Sequence, residues 1–549
     1  MLKLLSAALI ISAPAAAAQA YHCDTLQSQV TLGSLSGQKI DSVLVETAQP
    51  SLGRAARAVG RLHIRTRESV VRRELLFAAG DTVDTLAVAE SLRRLRSLAF
   101  LANAGIEARR CTSDVGHTLA LTVMTRDSWT ARPDLRGGSG SRIGLTERNL
   151  LGTGRTVSLD LVPHHGAIGG GVTVYDRFGF GTGVSTRAQY QRYSDGYLRG
   201  LLFSRRQATL SDPWRASLDI SDQAHEPRGA LSDNFERTSA ELIGGVRVTP
   251  KPSSHAVYLL GGFATEHGSL VAAPNADILG PTHVERRFTG PEIGAATVAT
   301  RYDTLTWLFD SGAVVDVPQG LEAEAVMGIG SGRLAVWDPS APTDPATSRF
   351  MSHYDAWVGR EWLPTPGSRV VTDLWAAGYG NAGDWSSSHL RAALSAEHAA
   401  SNGVWRLTAA SEQLNDPDPD VRALAIYDRA LAFVPSRARF AESALAISVE
   451  RTRHIRPVGG ALELDGSLFG ALSKRWDPSP TSLGAEDVSV GLLGAGLALS
   501  PRHAGRATLR LDYGVPVVAT PGIKRAPRLS ITVMPWLETG RHRDRTGSF

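Results

Sequence analysis

The stretch Gly144–Leu161, GLTERNLLGTGRTVSLDL, reads as a strand, a glycine turn and a second strand. The second strand alternates strictly. Val157, Leu159 and Leu161 point one way, and Thr156, Ser158 and Asp160 point the other. Such a strand needs a different medium on each face. In a soluble sandwich the apolar face meets a core and the polar face meets water. In a spanning barrel the apolar face meets lipid and the polar face lines a lumen. Alternation alone does not separate the two, so the decision rests on the surrounding chain.

Downstream, the same texture continues from Trp129 to the C-terminal region. RTVSLDLV, RASLDIS, SHAVYLLGG, SRVVTDLWAAGYG, SALAISVERT, ATLRLDYGVPV and RLSITVMPW are two-faced strands separated by Gly, Asp, Asn and Pro. This region is about 400 residues long, too long for one sandwich. Tyr354, Trp357, Trp362, Trp375, Tyr379 and Trp405 lie near strand ends, as an interfacial belt requires. Long polar stretches near 223–234, 269–287 and 338–348 alternate with short turns. In ATLRLDYGVPV an Arg facing mid-depth lipid costs roughly 2–4 kcal/mol. Arg510 and Asp512 are therefore assigned to the lumen, and Leu509, Leu511 and Tyr513 to lipid. The fold class expected is mainly β: a transmembrane antiparallel β-barrel over residues 129–538, preceded by a small α/β domain. Between sixteen and nineteen strand candidates can be counted.

Upstream, residues 39–128 have a different pattern. KIDSVLVE is a strand. TRESVVRRELLFAAGD is helical, with Thr66 as N-cap and Gly80 as stop. Asp84 caps TLAVAESLRRLRSLAFL, where Val88, Leu92, Leu95 and Ala99 share a face and Arg93, Arg94 and Arg96 lie mostly outside. AGIEARRC and HTLALTVMTRD are strands. Residues 1–20 read as a secretory signal: Lys3, the apolar LLSAALIISAPAAAA, and AQA ending at Ala20. No later stretch is apolar enough for a membrane helix. Export leaves two options, a soluble protein or a barrel. Cys23 and Cys111 either pair in an oxidising compartment or stay as two buried thiols.

The net charge of +4 is carried by scattered arginines, with no basic block interleaved with aromatics, so nucleic acid is not an expected partner. G-x-S-x-G, H-E-x-x-H and the phosphate-loop pattern are all absent. FGFGTG has no helix behind it, and His164-His165 lacks a partner at ligand spacing. Glu322 and Glu324 read as lumen lining. No catalytic residue, metal or cofactor is expected.

Two resemblances bear on function. TRESVVRRELLFAAGDTVDTLAVAESLRRLRSLAFLANAGIEA resembles a POTRA domain, through Arg72 to Leu75, Gly80-Asp81 and Leu95 to Phe100. The opening stretch resembles the early barrel hairpin of the BamA/TamA superfamily (the bacterial surface antigen family), through Glu147, Asn149, Gly152 and Gly154. GLLGAGLALSPRHAGRATLRLDYGVPV and RLSITVMPW resemble that family's closing strands. The resemblance implies about sixteen strands, a bacterial outer-membrane location and one periplasmic POTRA domain. It also implies a role in inserting or exporting polypeptides. The implied partners are outer-membrane lipid and unfolded outer-membrane or secreted chains, with periplasmic or lipoprotein partners possible. A strand would be taken up at the POTRA edge Ile106, Ala108 and Arg110, then transferred to a seam between the first and last barrel strands.

Two departures matter. The family's V-R-G-F/Y lumen loop is matched here by Val421-Arg422, with Ala423 and Leu424 replacing Gly and the aromatic. Its F-x-D-x-G partner is matched at Phe469, but Ala471 stands for Asp and Ser473 for Gly, leaving Asp465 or another lumenal acid as a substitute. Trp536 is followed by a polar tail, residues 539–549. A passive pore or surface-structural barrel is therefore the alternative function.

Overall fold

The computed structural model describes residues 32–49, 64–113, 116–128, 130–136, 142–164, 167–179, 183–193, 196–205, 212–225, 234–250, 253–271, 283–305, 314–337, 350–381, 384–415, 443–458, 462–476, 488–501, 507–520 and 526–535. The leader 1–20, Cys23, the loop motif Val421–Leu424, Trp536 and the tail 539–549 lie outside them. Cys111 is on a described strand, but its pairing with Cys23 cannot be placed there.

The N-terminal unit consists of β1 (Ser42–Ala48), α1 (Glu68–Arg73), α2 (Thr85–Arg96), β2 (Leu101–Ser113) and β3 (Gly116–Asp127). The sheet order is β1-β3-β2, with β1 parallel and β2 antiparallel to β3. Leu119, Leu121 and Val123 alternate toward the helices, where they meet Val70, Val71, Val88 and Leu95. Removing these side chains from water is what holds two short helices on a three-stranded sheet. α2 starts as its sequence implies: Leu86 N donates to Asp84 Oδ1 at 2.8 Å.

α1 departs from expectation. It covers only Glu68–Arg73, and its N-cap Arg67 supplies no side-chain hydrogen bond. Thr66, the expected cap, is bonded elsewhere, as described below. The Arg93, Arg94 and Arg96 stripe is also corrected: Arg94 is buried and the other two are largely covered.

The remaining strands run β4 (Ala131–Arg136), β5 (Arg142–Glu147), β6 (Thr156–His164), β7 (Ala167–Gly179), β8 (Val184–Tyr193), β9 (Gly196–Arg205), β10 (Trp214–His225), β11 (Asn234–Arg247), β12 (His255–Val271) and β13 (His283–Ala299). A separate two-stranded hairpin follows, β14 (Tyr302–Leu305) with β15 (Val315–Pro318). Then come β16 (Gly320–Trp337), β17 (Met351–Trp362), β18 (Ser368–Asn381), β19 (Asp384–Ala400), β20 (Gly403–Asn415), β21 (Ser443–Val458), β22 (Leu462–Trp476), β23 (Val488–Pro501), β24 (Ala507–Ala519) and β25 (Arg528–Pro535).

Without the β14–β15 hairpin, β4 to β25 form one antiparallel ring of twenty strands among the described residues, not about sixteen. The difference arises because a single barrel strand carries a weak signal, so neighbouring strands read as loop. Parts of the polar stretches 269–287 are in fact strand, in β12 and β13. The ring is completed between β25 and β4 by one bridged pair, Thr532 with Arg136.

The faces follow the alternation. Leu159 and Leu161 are 54% and 52% exposed outside, whereas Asp160 is 4% exposed inside. On β24, Leu509, Leu511 and Tyr513 are exposed, and Arg510 and Asp512 are buried in the lumen wall. An apolar exterior around a polar interior, with backbone groups paired along the ring, is the form a strand protein takes in a bilayer. No helix among the described residues is long and apolar enough to cross a membrane.

The aromatic belt is only half right. Trp405 is exposed outside. Tyr379, however, points inward and donates to Glu266 Oε2 at 2.6 Å. Trp357 donates from its indole N–H to Asp373 at 2.6 Å, and Trp375 packs edge-on to His389. Both therefore share the lumen-side polar network.

Candidate functional site

Three places on this frame combine unusual chemistry with a position suited to function: the joint between the two parts, the unfinished sheet edges, and the lumen wall near Phe469.

The joint is built from the glycine turn between β5 and β6. Asn149 is almost fully buried and works at both ends of its amide. Its Oδ1 accepts from Gly154 N at 2.7 Å, and its Nδ2 donates to Thr66 Oγ1 at 2.8 Å. Thr66 in turn donates through its N and Oγ1 to Asp127, at 2.9 and 2.6 Å. Asn149 N donates to Glu147 Oε1 at 2.9 Å. The turn thus holds itself closed and reaches the N-terminal unit through a chain of buried polar groups, each of which needs its partner.

The two motif glycines have separate reasons. Gly152 has φ +73°, and a Cβ there would collide with the Arg65 carbonyl. Gly154 has φ +75°, and its Cβ would lie 3.0 Å from Val70 and 3.2 Å from Phe100 in the unit's core. Arg67 N donates to Gly152 O at 3.0 Å. All four motif residues singled out in sequence, Glu147, Asn149, Gly152 and Gly154, therefore sit in this joint.

A second contact lies beside it. Glu74, from the RREL run, is fully buried between Arg94 of α2 at 2.8 Å and Arg177 of β7 at 2.9 Å. Arg177 also donates to Ser97 Oγ at 3.2 Å. A carboxylate buried between two guanidiniums is costly to leave half-paired, so each partner holds the other in place. Sequence reasoning took Thr66 for a helix cap and missed Asp127 and Arg177, because their partners are distant in the chain. The signal available was Glu74, an acid between the arginines Arg72-Arg73 and the apolar run Leu75-Leu76-Phe77.

The unfinished edges are β2 and the seam. β2 pairs with β3 on one side and with no other strand among the described residues. Ile106 and Ala108 turn their side chains to the core, leaving the backbone of this 13-residue strand as the edge. Arg110 lies on the same strand, opposite Leu119. At the seam, β4 and β25 have 6 and 8 residues and share one bridged pair.

In the lumen wall, Phe469, Ala471 and Ser473 are all buried on the inner face of β22. The guanidinium of Arg510 lies 6.0 Å from the Phe469 ring centre. It bonds Asp512 at 2.7 Å, Ser467 Oγ at 2.8 Å and Glu450 at 2.6 Å. Asp465 faces His454 at 3.2 Å. The ion pairs continue round the wall: Glu450 with Arg406 at 3.5 Å, Arg406 with Glu397 at 2.9 Å, Glu397 with Arg369 at 3.2 Å, and Arg369 with Glu361 at 2.7 Å. Acid and base alternate from β17 to β21, one member per strand, and Glu450 of β21 then reaches past β22 and β23 to Arg510 of β24. Arg422 lies outside the described residues, so its meeting with this wall is not placed. No cluster of three or more metal-ligating side chains occurs among the described residues.

No protein-family model matches the chain. The outer membrane protein assembly factor BamA of Neorickettsia risticii (strain Illinois) is 33% identical over 103 residues, 18% of this chain. The match spans only 14% of that relative's length. Among solved structures, BamA from Haemophilus ducreyi lacking POTRA domains 1-3 is 14% identical, with 89% of this chain and 84% of that one covered and a TM-score of 0.37. CdiB from Escherichia coli is 10% identical, with 92% and 79% covered and a TM-score of 0.38. At those scores the structural likenesses carry no argument of their own. The chain is thus similar to BamA over 18% of its length, and its closed ring of two-faced antiparallel strands is the form of a membrane-spanning β-barrel.

Proposed function

We propose that this protein assists the insertion or export of other polypeptides at the outer membrane, with residues 39–128 acting as a single periplasmic POTRA domain ahead of the barrel of 129–538. The observation that carries this reading is the pair of unfinished edges. Among the described residues β2 pairs with β3 alone, and β4 and β25 share one bridged pair. Unpaired backbone N–H and C=O groups at such edges recognise an extended chain without regard to its side chains. In the hydrocarbon layer they cost several kcal/mol each while unsatisfied, which favours accepting a client strand there. A client would add to β2 in the periplasm and then pair along β25. Its partners are then the surrounding lipid and unfolded outer-membrane or secreted chains, with periplasmic or lipoprotein subunits as helpers at the N-terminal unit.

The test is photo-crosslinking in cells from Ile106, Ala108 and Arg110 on β2 and from Leu529 to Val533 on β25. Capture of nascent outer-membrane or secreted chains at both places is the expected result. Capture of lipid and self alone at β25 would overturn it.

One observation favours a second reading, a passive pore or surface-structural barrel. Ala471 stands where the family has an acid, and Arg510, which belongs to the barrel itself, already fills the space beside Phe469. A lumen that satisfies its own charges has no need of a loop arginine. Bilayer conductance unchanged by Arg422→Ala, without captured clients, is the outcome that reading requires.

A further inference from the structure

The β14–β15 hairpin belongs to neither the ring nor the N-terminal sheet. It lies in the connection between β13 and β16, at the same barrel end as the joint. Leu305 and Val317 bury themselves with Val315 and with Leu363, from the turn after β17. This seats the hairpin firmly on the barrel rim. Its polar side meets α2: Arg96 is 3.2 Å from Asp316, and the Arg93 guanidinium lies 4.8 Å from the Tyr302 ring centre. Arg93 is also held by Glu90 at 2.5 Å. These arginines look like a solvated helix face in sequence, yet they are the face that touches the rim.

The location gives the contact its meaning. The joint lies between the second and third strands of the ring, and the hairpin between the tenth and eleventh. Two fixings eight strands apart in a ring of twenty bring the N-terminal unit and the hairpin together at the mouth. They also differ in kind. The joint is a fully buried chain of partners, Asp127, Thr66 and Asn149. The hairpin contact is an ion pair and a cation–ring contact, both partly open to water, and such pairs are individually weak.

We infer that the β14–β15 hairpin is a clasp: it fastens α2 to the far rim and holds the N-terminal unit across the barrel mouth, and its release lets the unit swing about the Asn149 joint. This assignment does not depend on the assembly role, and a barrel of either function could carry it.

The test uses the full-length protein in lipid nanodiscs, with Cys23 and Cys111 changed to Ser. Spin labels are placed at exposed Leu86 of α2 and at Pro366 in the turn after β17, and their separation is measured by double electron–electron resonance. The parent protein should give one narrow distance. Asp316→Arg, which sets a cation against Arg96, should broaden and lengthen it. Arg96→Asp combined with Asp316→Arg should restore the narrow distance, which separates loss of the clasp from misfolding. A distance equally narrow in Asp316→Arg would overturn the proposal. So would a broad distance that the paired exchange fails to restore, while heat-modifiability shows the barrel intact.

Discussion

The two walls of this barrel are built differently. Beside the seam, β4 and β5 have 6 residues each and β6 has 9. Across the ring, β12 and β13 have 17 each, and β16 has 18. A strand tilted in a bilayer needs about 9–11 residues to span it, so the far wall has length to spare and the seam wall falls at or below the requirement. The interiors differ in the same sense. From β17 to β21 the lumen face carries alternating acids and arginines joined strand to strand, and the last of them, Glu450, pairs with Arg510 of β24. The lesson is that rigidity here is distributed: one wall is stitched by side chains as well as backbone, whereas the strands that meet at the seam are short and share one bridged pair among the described residues.

The sharpest way to break this contrast is to stitch the seam as well. Cysteines at Arg136 and Thr532, bridged partners across the seam, should form a disulfide in the background lacking Cys23 and Cys111. Outer-membrane protein levels in depleted cells should then fail to recover until reductant is added. Normal recovery with the disulfide formed would show that the seam stays shut during function.

Next in size is the stitched wall. Arg510→Ala removes the cation that Asp512 and Glu450 share, leaving Glu450 with Arg406 at 3.5 Å, which should cost about 3–5 kcal/mol. The measured sign is a lower temperature of barrel unfolding in gel heat-modifiability assays. Adding Glu450→Gln and Asp512→Asn should recover most of the loss. Full stability in the single variant would mean the lumen charges are hydrated and the two walls differ only in length.

Much of this architecture is legible in the amino-acid order. The inside–outside assignment on β24 follows from one physical fact, the expense of Arg510 in lipid, and it holds residue by residue. The α2 start at Asp84 follows from local capping chemistry. What eludes reading is set by partners far along the chain. Thr66 looks like a helix cap because its real partners, Asp127 and Asn149, are 61 and 83 residues away. Arg94 looks solvated because its partner Glu74 lies 20 residues back, just past the end of α1. Tyr379 and Trp375 look interfacial because an aromatic at a strand end is equally suited to the lumen, where Glu266 and His389 receive them. The strand number is hidden because a polar strand and a polar loop share a composition.

A smaller effect is expected at the joint. Asn149→Ala removes both amide contacts and leaves Thr66 and Gly154 short of a partner, at about 1–3 kcal/mol. Faster hydrogen exchange in residues 148–155 and at Thr66, with the lumen wall unchanged, is the result to look for. Equal exchange would place the strength of the joint in Glu74 and Arg177 instead.

The smallest is a pH slope at the clasp. Burial raises the Asp316 carboxyl above its ordinary range, although Arg96 and Arg93 oppose the shift, and Glu90 adds to it. Arg93 is raised overall: burial lowers it, but the hydrogen bond to Glu90 and the charges of Tyr302, Glu90 and Asp316 outweigh that. Arg93 therefore stays charged throughout. A raised acid binds its proton more tightly when docked. Docking is thus fully favoured below the ordinary carboxylate range and weakens as pH rises through the raised value. The label distance should narrow on mild acidification, and Asp316→Asn should flatten the slope while leaving the clasp shut. An opposite slope would mean that attraction to Arg96 outweighs burial.

The joint also sets an order of events in folding. Its barrel partners are Glu147 to Gly154, which immediately follow the N-terminal unit in the chain, so it can close once the first two hairpins are in place. The clasp needs Tyr302 and Asp316, which follow the tenth strand of the ring, and so closes later. Contacts of longer sequence separation form later because more chain must be gathered to make them. The N-terminal unit therefore marks the progress of the barrel, fastened at one side early and at the other later.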